Sequence, residues 1–168
     1  MPRSFDMATD YDGSVEQVHA ALRDEQYWLA RLADSGADDA TLDSLRLGAD
    51  GSVDIATTQI LRADRLPGVV TQFHRGDLHI KRVESWSGLV DGSAQAAVDG
   101  VIPGAPVTLT GNAHLTPAEA KARLAFRATV EVRIPLVGGK VENFIGNQLV
   151  DLLIAEQRFT TLWIAEHG

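Results

Sequence analysis

The chain has 168 residues, 45% apolar and 23% charged, with no cysteine. These proportions suit one globular domain spanning residues 1–168, large enough to bury a core without a metal or a disulfide. The net charge of −8, from 15 basic and 23 acidic side chains, disfavours nucleic acid or an anionic membrane surface as partner, since both attract lysine and arginine.

Residues 3–11 alternate, with Phe5, Met7, Thr9 and Tyr11 on one face and Ser4, Asp6, Ala8 and Asp10 on the other, which predicts a half-buried strand. Ser14 and Gln17 have capping-box spacing ahead of Val15, Val18 and Leu22, a short amphipathic helix. Asp24 is placed to cap a second helix bearing Tyr27, Trp28, Arg31 and Leu32. Leu45 and Leu47, the turn Gly48–Gly51 and the run Val53 to Leu61 predict a hairpin. A short helical connector follows over 64–76, with Phe73 on its apolar side.

Further strands are expected at 78–88, 93–102, 106–115 and 121–134, with Thr116–Glu119 as a loop or a single helical turn. Beyond Pro135 and Gly138-Gly139, apolar residues from Val141 to Trp163 recur at steps of three, four and seven. That spacing predicts a helix over about 140–166, ~40 Å long at 1.5 Å per residue. Short connections imply an antiparallel meander, because parallel neighbours need long crossovers. The apolar face of such a sheet must be covered by the long helix.

This order resembles the helix-grip fold of the START-like (SRPBCC) superfamily, an α+β architecture. Leu66-Pro67, Trp86, Pro103-Gly104-Ala105-Pro106-Val107, Thr110-Gly111 and the block Ile134–Glu142 are similar to one uncharacterised actinobacterial family within it. The resemblance implies a curved seven-stranded antiparallel sheet around a long C-terminal helix, with two short helices between strands 1 and 2. It also implies a hydrophobic cavity between sheet and helix. It brings no catalytic residues, cofactor or metal.

The residues independently invite a cavity. Ala94, Ala96, Gly100, Gly111 and Ala113 put small side chains on the presumed inner face. Close-packed interiors do not tolerate gaps, so the helix either approaches closely or leaves a void. Phe144, Phe159 and Trp163 are the side chains that would otherwise fill it. The expected lining is Trp86, Leu109, Phe126, Val130, Phe144 and Leu152. Period two also places Arg82 and Glu84 on the face of Leu78, Ile80 and Trp86. There they would orient a ligand head or act as acid and base; the alternative is that twist or a bulge turns them out, or that they form a structural ion pair near a sheet edge.

Other motifs fail on spacing. Gly138-Gly139-Lys140 is not a phosphate loop, because Ile134 and Val141 stand where glycine and Ser/Thr are required. His19, His74, His79, His114 and His167 lack zinc-site spacing, although His74 and His79 would approach each other across Gly76-Asp77. No Gly-x-Ser-x-Gly elbow occurs. Tyr27 and Trp28 are either a lid over the cavity mouth or an anchor for their helix.

The expectation is a soluble, cytoplasmic protein that binds a hydrophobic small molecule such as a lipid, polyketide or aromatic metabolite. Two alternatives stand beside it. One is an enzyme of the polyketide cyclase/aromatase or hydratase kind; the other is a homodimer formed through the apolar band at Leu149, Leu152, Leu153 and Ile154.

Overall fold

The computed structural model describes residues 2–66, 68–71, 75–134, 136 and 138–167, without the side chains of Arg65, Val69 and Val70. The elements run β1 (Arg3–Tyr11), α1 (Val15–Leu22), α2 (Glu25–Ala33), β2 (Asp39–Leu47), β3 (Val53–Leu61), a 3₁₀ turn (Ala63–Arg65), α3 (Gly68–Thr71), β4 (Leu78–Trp86), β5 (Ala94–Val101), β6 (Val107–Ala118), β7 (Lys121–Val132) and α4 (Gly138–His167). All seven strands form one antiparallel sheet in the order β1-β7-β6-β5-β4-β3-β2. This is the helix-grip fold, with α1 and α2 between the first two strands as expected. Of the helical connector, residues 72–74 lie outside those described, and with them Phe73 and the proposed approach of His74 to His79.

Local chemistry sets the helix starts. The Ser14 hydroxyl accepts the Gln17 backbone N–H at 3.1 Å, and the Gln17 side chain accepts the Ser14 N–H at 2.9 Å. Asp24 Oδ1 accepts the Gln26 N–H at 2.9 Å to open α2. At the start of α4, Glu142 is fully buried and accepts the Val132 N–H at 3.0 Å, while Gly138 N–H donates to Ile134 O at 3.0 Å. Gly138 and Glu142 therefore tie the start of α4 to the end of β7.

One connection departs from expectation. Residues 116–118 extend β6, and Glu119-Ala120 form a two-residue hairpin loop to β7. Glu119 carries φ +60°, the left-handed first loop position that a type II′ turn uses. No glycine marks it in the sequence. Pro117 is tolerated because residues 116–118 overhang β5, whose pairing ends at Ala94 opposite Leu115.

The packed interior has two parts. Toward α1 and α2, Tyr11, Trp28, Ile55, Trp86, Leu115 and Ile164 belong to one apolar cluster. Toward the start of α4, Val107, Val130, Val132 and Val141 form another, flanked by Phe5, Leu109 and Leu149. Helix α4 packs most closely on β1 and β7. Gly146 permits this, since a Cβ there would lie 2.2 Å from the Phe5 ring of β1. Gly146→Ala is expected to destabilise the protein by about 1–3 kcal/mol through overpacking, despite the better helix propensity of alanine. In a Phe5→Ala background the same substitution should become stabilising, by up to ~1 kcal/mol; urea denaturation of the four proteins checks the reversal of sign.

Candidate functional site

Away from β1 and β7, α4 stands off the sheet. Between them lies a cavity of about 560 Å³, bounded by β3–β7 on one side, α4 on the other and α1 and α2 at one end. Its walls are mostly apolar. On α4, Phe144, Gln148, Leu152, Glu156 and Thr160 all border it. Steps of four put these residues in one row, about 24 Å long at 1.5 Å per residue. Opposite them, Gly100 and Ala113 keep the sheet wall thin. The Phe126 ring fills the place of a side chain at Gly111, coming within 2.8 Å of where its Cβ would stand. Small residues on the inner face thus leave a void at Gly100 and Ala113, while at Gly111 a neighbour closes the gap.

Of the residues expected to line a cavity, Arg82, Glu84, Trp86, Leu109, Phe126, Phe144 and Leu152 border this one. Val130 does not. It faces inward but is fully buried in the cluster with Val132 and Val141, on the side where α4 lies close to the sheet. Of the apolar band, Leu149, Leu152 and Leu153 border the cavity and are half-buried, while Ile154, like Val150, is partly exposed. Tyr27 and Trp28 are both buried to within 1%. The Trp28 indole N–H donates to Leu22 O at 2.8 Å, which makes this residue an anchor for α2.

Four charged side chains meet on the cavity wall. Arg82 Nη2 donates to Glu156 Oε2 at 3.1 Å, and Arg31 Nη2 pairs with the same oxygen. Arg82 Nε lies 3.2 Å from Glu84 Oε2, yet this N–H points off line and has no hydrogen-bond acceptor. Trp86 Nε1 donates to Glu84 Oε1 at 3.3 Å. The Arg31 guanidinium sits 4.5 Å above the Trp28 ring, a cation–π contact, and Nη1 donates to the Tyr27 hydroxyl at 3.3 Å. The Tyr27 hydroxyl and Thr160 Oγ1 are 2.6 Å apart, and Thr160 donates to Glu156 O at 2.7 Å. Period two on β4 brings Arg82, Glu84 and Trp86 together; Arg31 and Glu156 arrive from two helices.

The formal charges of the four cancel, two guanidiniums against two carboxylates. Burial disfavours the Glu156 anion, but Arg31 and Arg82 outweigh it and hold the carboxyl at about 2. Burial likewise opposes the Arg31 and Arg82 cations; the neighbouring carboxylates, chiefly Glu156, outweigh it and raise both guanidinium pKa values. Burial also pushes the Tyr11 phenol above its ordinary value. Glu156, Arg31 and Tyr11 were not singled out from the sequence as site residues. The signal available for Glu156 was a carboxylate in the four-residue row shared by Phe144 and Leu152; its partners lie too far along the chain for any spacing rule.

Among the described residues no group of His, Cys, Asp and Glu could hold a metal ion, and no helix is long and apolar enough to cross a membrane. Rv0481c of Mycobacterium tuberculosis, an uncharacterized protein, is 49% identical over 173 residues, covering 99% of both chains. Among solved structures, the Zhui aromatase/cyclase from Streptomyces sp. R1128 superposes with a TM-score of 0.63 at 9% identity, covering 98% of this chain and 94% of that one. Norcoclaurine synthase from Thalictrum flavum gives 0.58 at 15% identity, with 99% and 88% covered. At such identities these likenesses speak for the helix-grip, SRPBCC-like fold alone. The family described as "Protein of unknown function (DUF2505)" matches residues 6–164, and the chain belongs to it.

Proposed function

We propose that this protein binds a hydrophobic small molecule in the cavity between β3–β7 and α4. The carrying observation is a mostly apolar void of about 560 Å³, within the size range typical of small-molecule sites, where protein interiors ordinarily close-pack. Affinity would come mainly from apolar burial, about 0.8 kcal/mol per buried CH₂, with the charged cluster fixing orientation. A lipid, polyketide or aromatic metabolite would suit such walls. A structural neighbour named as an aromatase/cyclase keeps the polyketide class in view.

The enzyme alternative calls for a group that exchanges protons near neutrality. Glu156 is held far below that range and Arg31 and Arg82 above it. These three therefore serve as fixed charges, which favours binding over acid–base turnover by the cluster.

Native and denaturing mass spectra of untagged protein test this reading. An added mass retained in the native spectrum and lost on denaturation is the expected result. A bare monomer that also fails to bind a neutral apolar dye would contradict it, and a bare dimer would favour the homodimer alternative.

A further inference from the structure

Most polar groups on the cavity wall are already engaged. Tyr27 and Thr160 bond each other, Glu84 accepts from Trp86, and Glu156 takes both guanidiniums. Tyr11, Gln59 and Gln148 are not, and of these three Tyr11 is the buried one, Gln59 being half-buried and Gln148 exposed. Tyr11 ends β1 opposite Ala122, is 6% exposed and borders the cavity, and its hydroxyl makes no hydrogen bond among the described residues. The Nε–H of Arg82, which also borders the cavity, lacks an acceptor as well. What is missing there is an oxygen able to accept.

The charge balance narrows the choice. Arg31, Arg82, Glu84 and Glu156 already neutralise one another. An added carboxylate would sit beside Glu84 and Glu156 with no spare cation, and an added ammonium beside Arg31 and Arg82 with no spare anion. Either would leave an uncompensated charge in a mostly apolar cavity, which is costly. A neutral oxygen incurs no such penalty and satisfies the open donors.

We infer that the cavity selects an uncharged ligand bearing a carbonyl or hydroxyl oxygen, which the Tyr11 hydroxyl binds, over acids and amines of the same shape; this deepens, and rests on, the cavity-binding reading. Of the two amides on the wall, Gln148 is exposed and Gln59 is the one to weigh against Tyr11. Gln59 pairs with Ile80, one inward position beyond the Thr57–Arg82 row, near the end of β3.

Binding of four naphthalenes at pH 7, followed by calorimetry, tests the inference: 2-acetylnaphthalene, 2-isopropylnaphthalene, 2-naphthoate and 2-naphthylmethylammonium. The ketone should bind about 5-fold more tightly than the hydrocarbon, the gain of one net hydrogen bond, and at least ~10-fold more tightly than either ion. Tyr11→Phe should abolish the ketone's advantage while leaving hydrocarbon affinity unchanged, which also shows the variant folded. Gln59→Leu should preserve the advantage. An acid or amine that binds as well as the ketone would overturn the neutral-ligand inference, as would a ketone preference that survives Tyr11→Phe or follows Gln59. In those cases hydrocarbon binding keeps the cavity reading intact. If none of the four binds, the cavity reading falls as well.

Discussion

Replacing Glu156 with leucine is expected to cost about 3–5 kcal/mol of folding stability, because it leaves the buried Arg31 without a carboxylate and Arg82 with Glu84 alone, and the two guanidiniums repel each other. The Glu156 side chain is 20% exposed and that of Arg31 10%, so solvent screens the loss only in part. Urea denaturation reads the effect as a lower midpoint at an unchanged slope. A loss below ~1 kcal/mol would place the cluster in the weak class of exposed ion pairs. Acid offers a second route to the same quantity. The Glu156 carboxyl is held at about 2 in the folded protein, against an ordinary value of 4.5. A depressed folded-state pKa gives stability that is complete above pH ~4.5 and lost as the pH falls toward about 2. Compared with a Glu156→Gln variant, the wild type should therefore lead by about 3 kcal/mol at pH 7, and the gap should shrink through that window. A gap independent of pH would mean that the glutamate acts through packing and not through its charge.

Much of this architecture is legible from residue patterns. Alternation along 121–134 and the steps of three and four after Gly139 are strong enough to give the meander and its covering helix. Short-range caps at Ser14 and Asp24 also read directly, because the partner lies two or three residues away. The hairpin at Glu119-Ala120 does not. Its positive φ falls on a glutamate, so the residue type that usually signals such a turn is absent.

The site divides in the same way. Period two places Arg82 and Glu84 beside Trp86 and leaves open whether they face the cavity, turn out or form a structural ion pair; both border the cavity, and Arg82 pairs with Glu84 and Glu156. What completes the cluster is Arg31, 51 residues before Arg82 in the chain, and Glu156, 74 residues after it. Their meeting is a property of tertiary packing. Val130 illustrates the converse. Its inward face is legible, but whether a cavity or a helix lies in front of it depends on where α4 approaches the sheet. Gly146 decides that by admitting the Phe5 ring.

Gly100 offers the most direct way to close the cavity without disturbing the rest. A Cβ built there meets only Leu109 Cβ and Cδ2, at 3.5 and 3.6 Å, and Lys81 O at 3.9 Å, all ordinary contacts. Its φ is not in the left-handed region, so a phenylalanine at this position is accommodated by the backbone and its ring enters the void. At Gly111 the same change would strike Phe126 and the Arg127 carbonyl, at 2.8 and 3.0 Å from the new Cβ. Gly100→Phe should thus keep its stability to within ~1 kcal/mol, since filling a void adds contacts and introduces no strain. Its affinity for an apolar ligand should fall at least ~10-fold, the loss of the space for a few methylene-sized groups.

Titration of wild-type protein and Gly100→Phe with the neutral dye Nile red, side by side, tests whether the void between sheet and helix is the binding site. Saturable binding to the wild type with a blue-shifted emission, lost in a variant that unfolds at the same urea concentration, is the result this cavity predicts. Equal binding by both folded proteins would show that the dye sits elsewhere and that the void between sheet and helix is not the site.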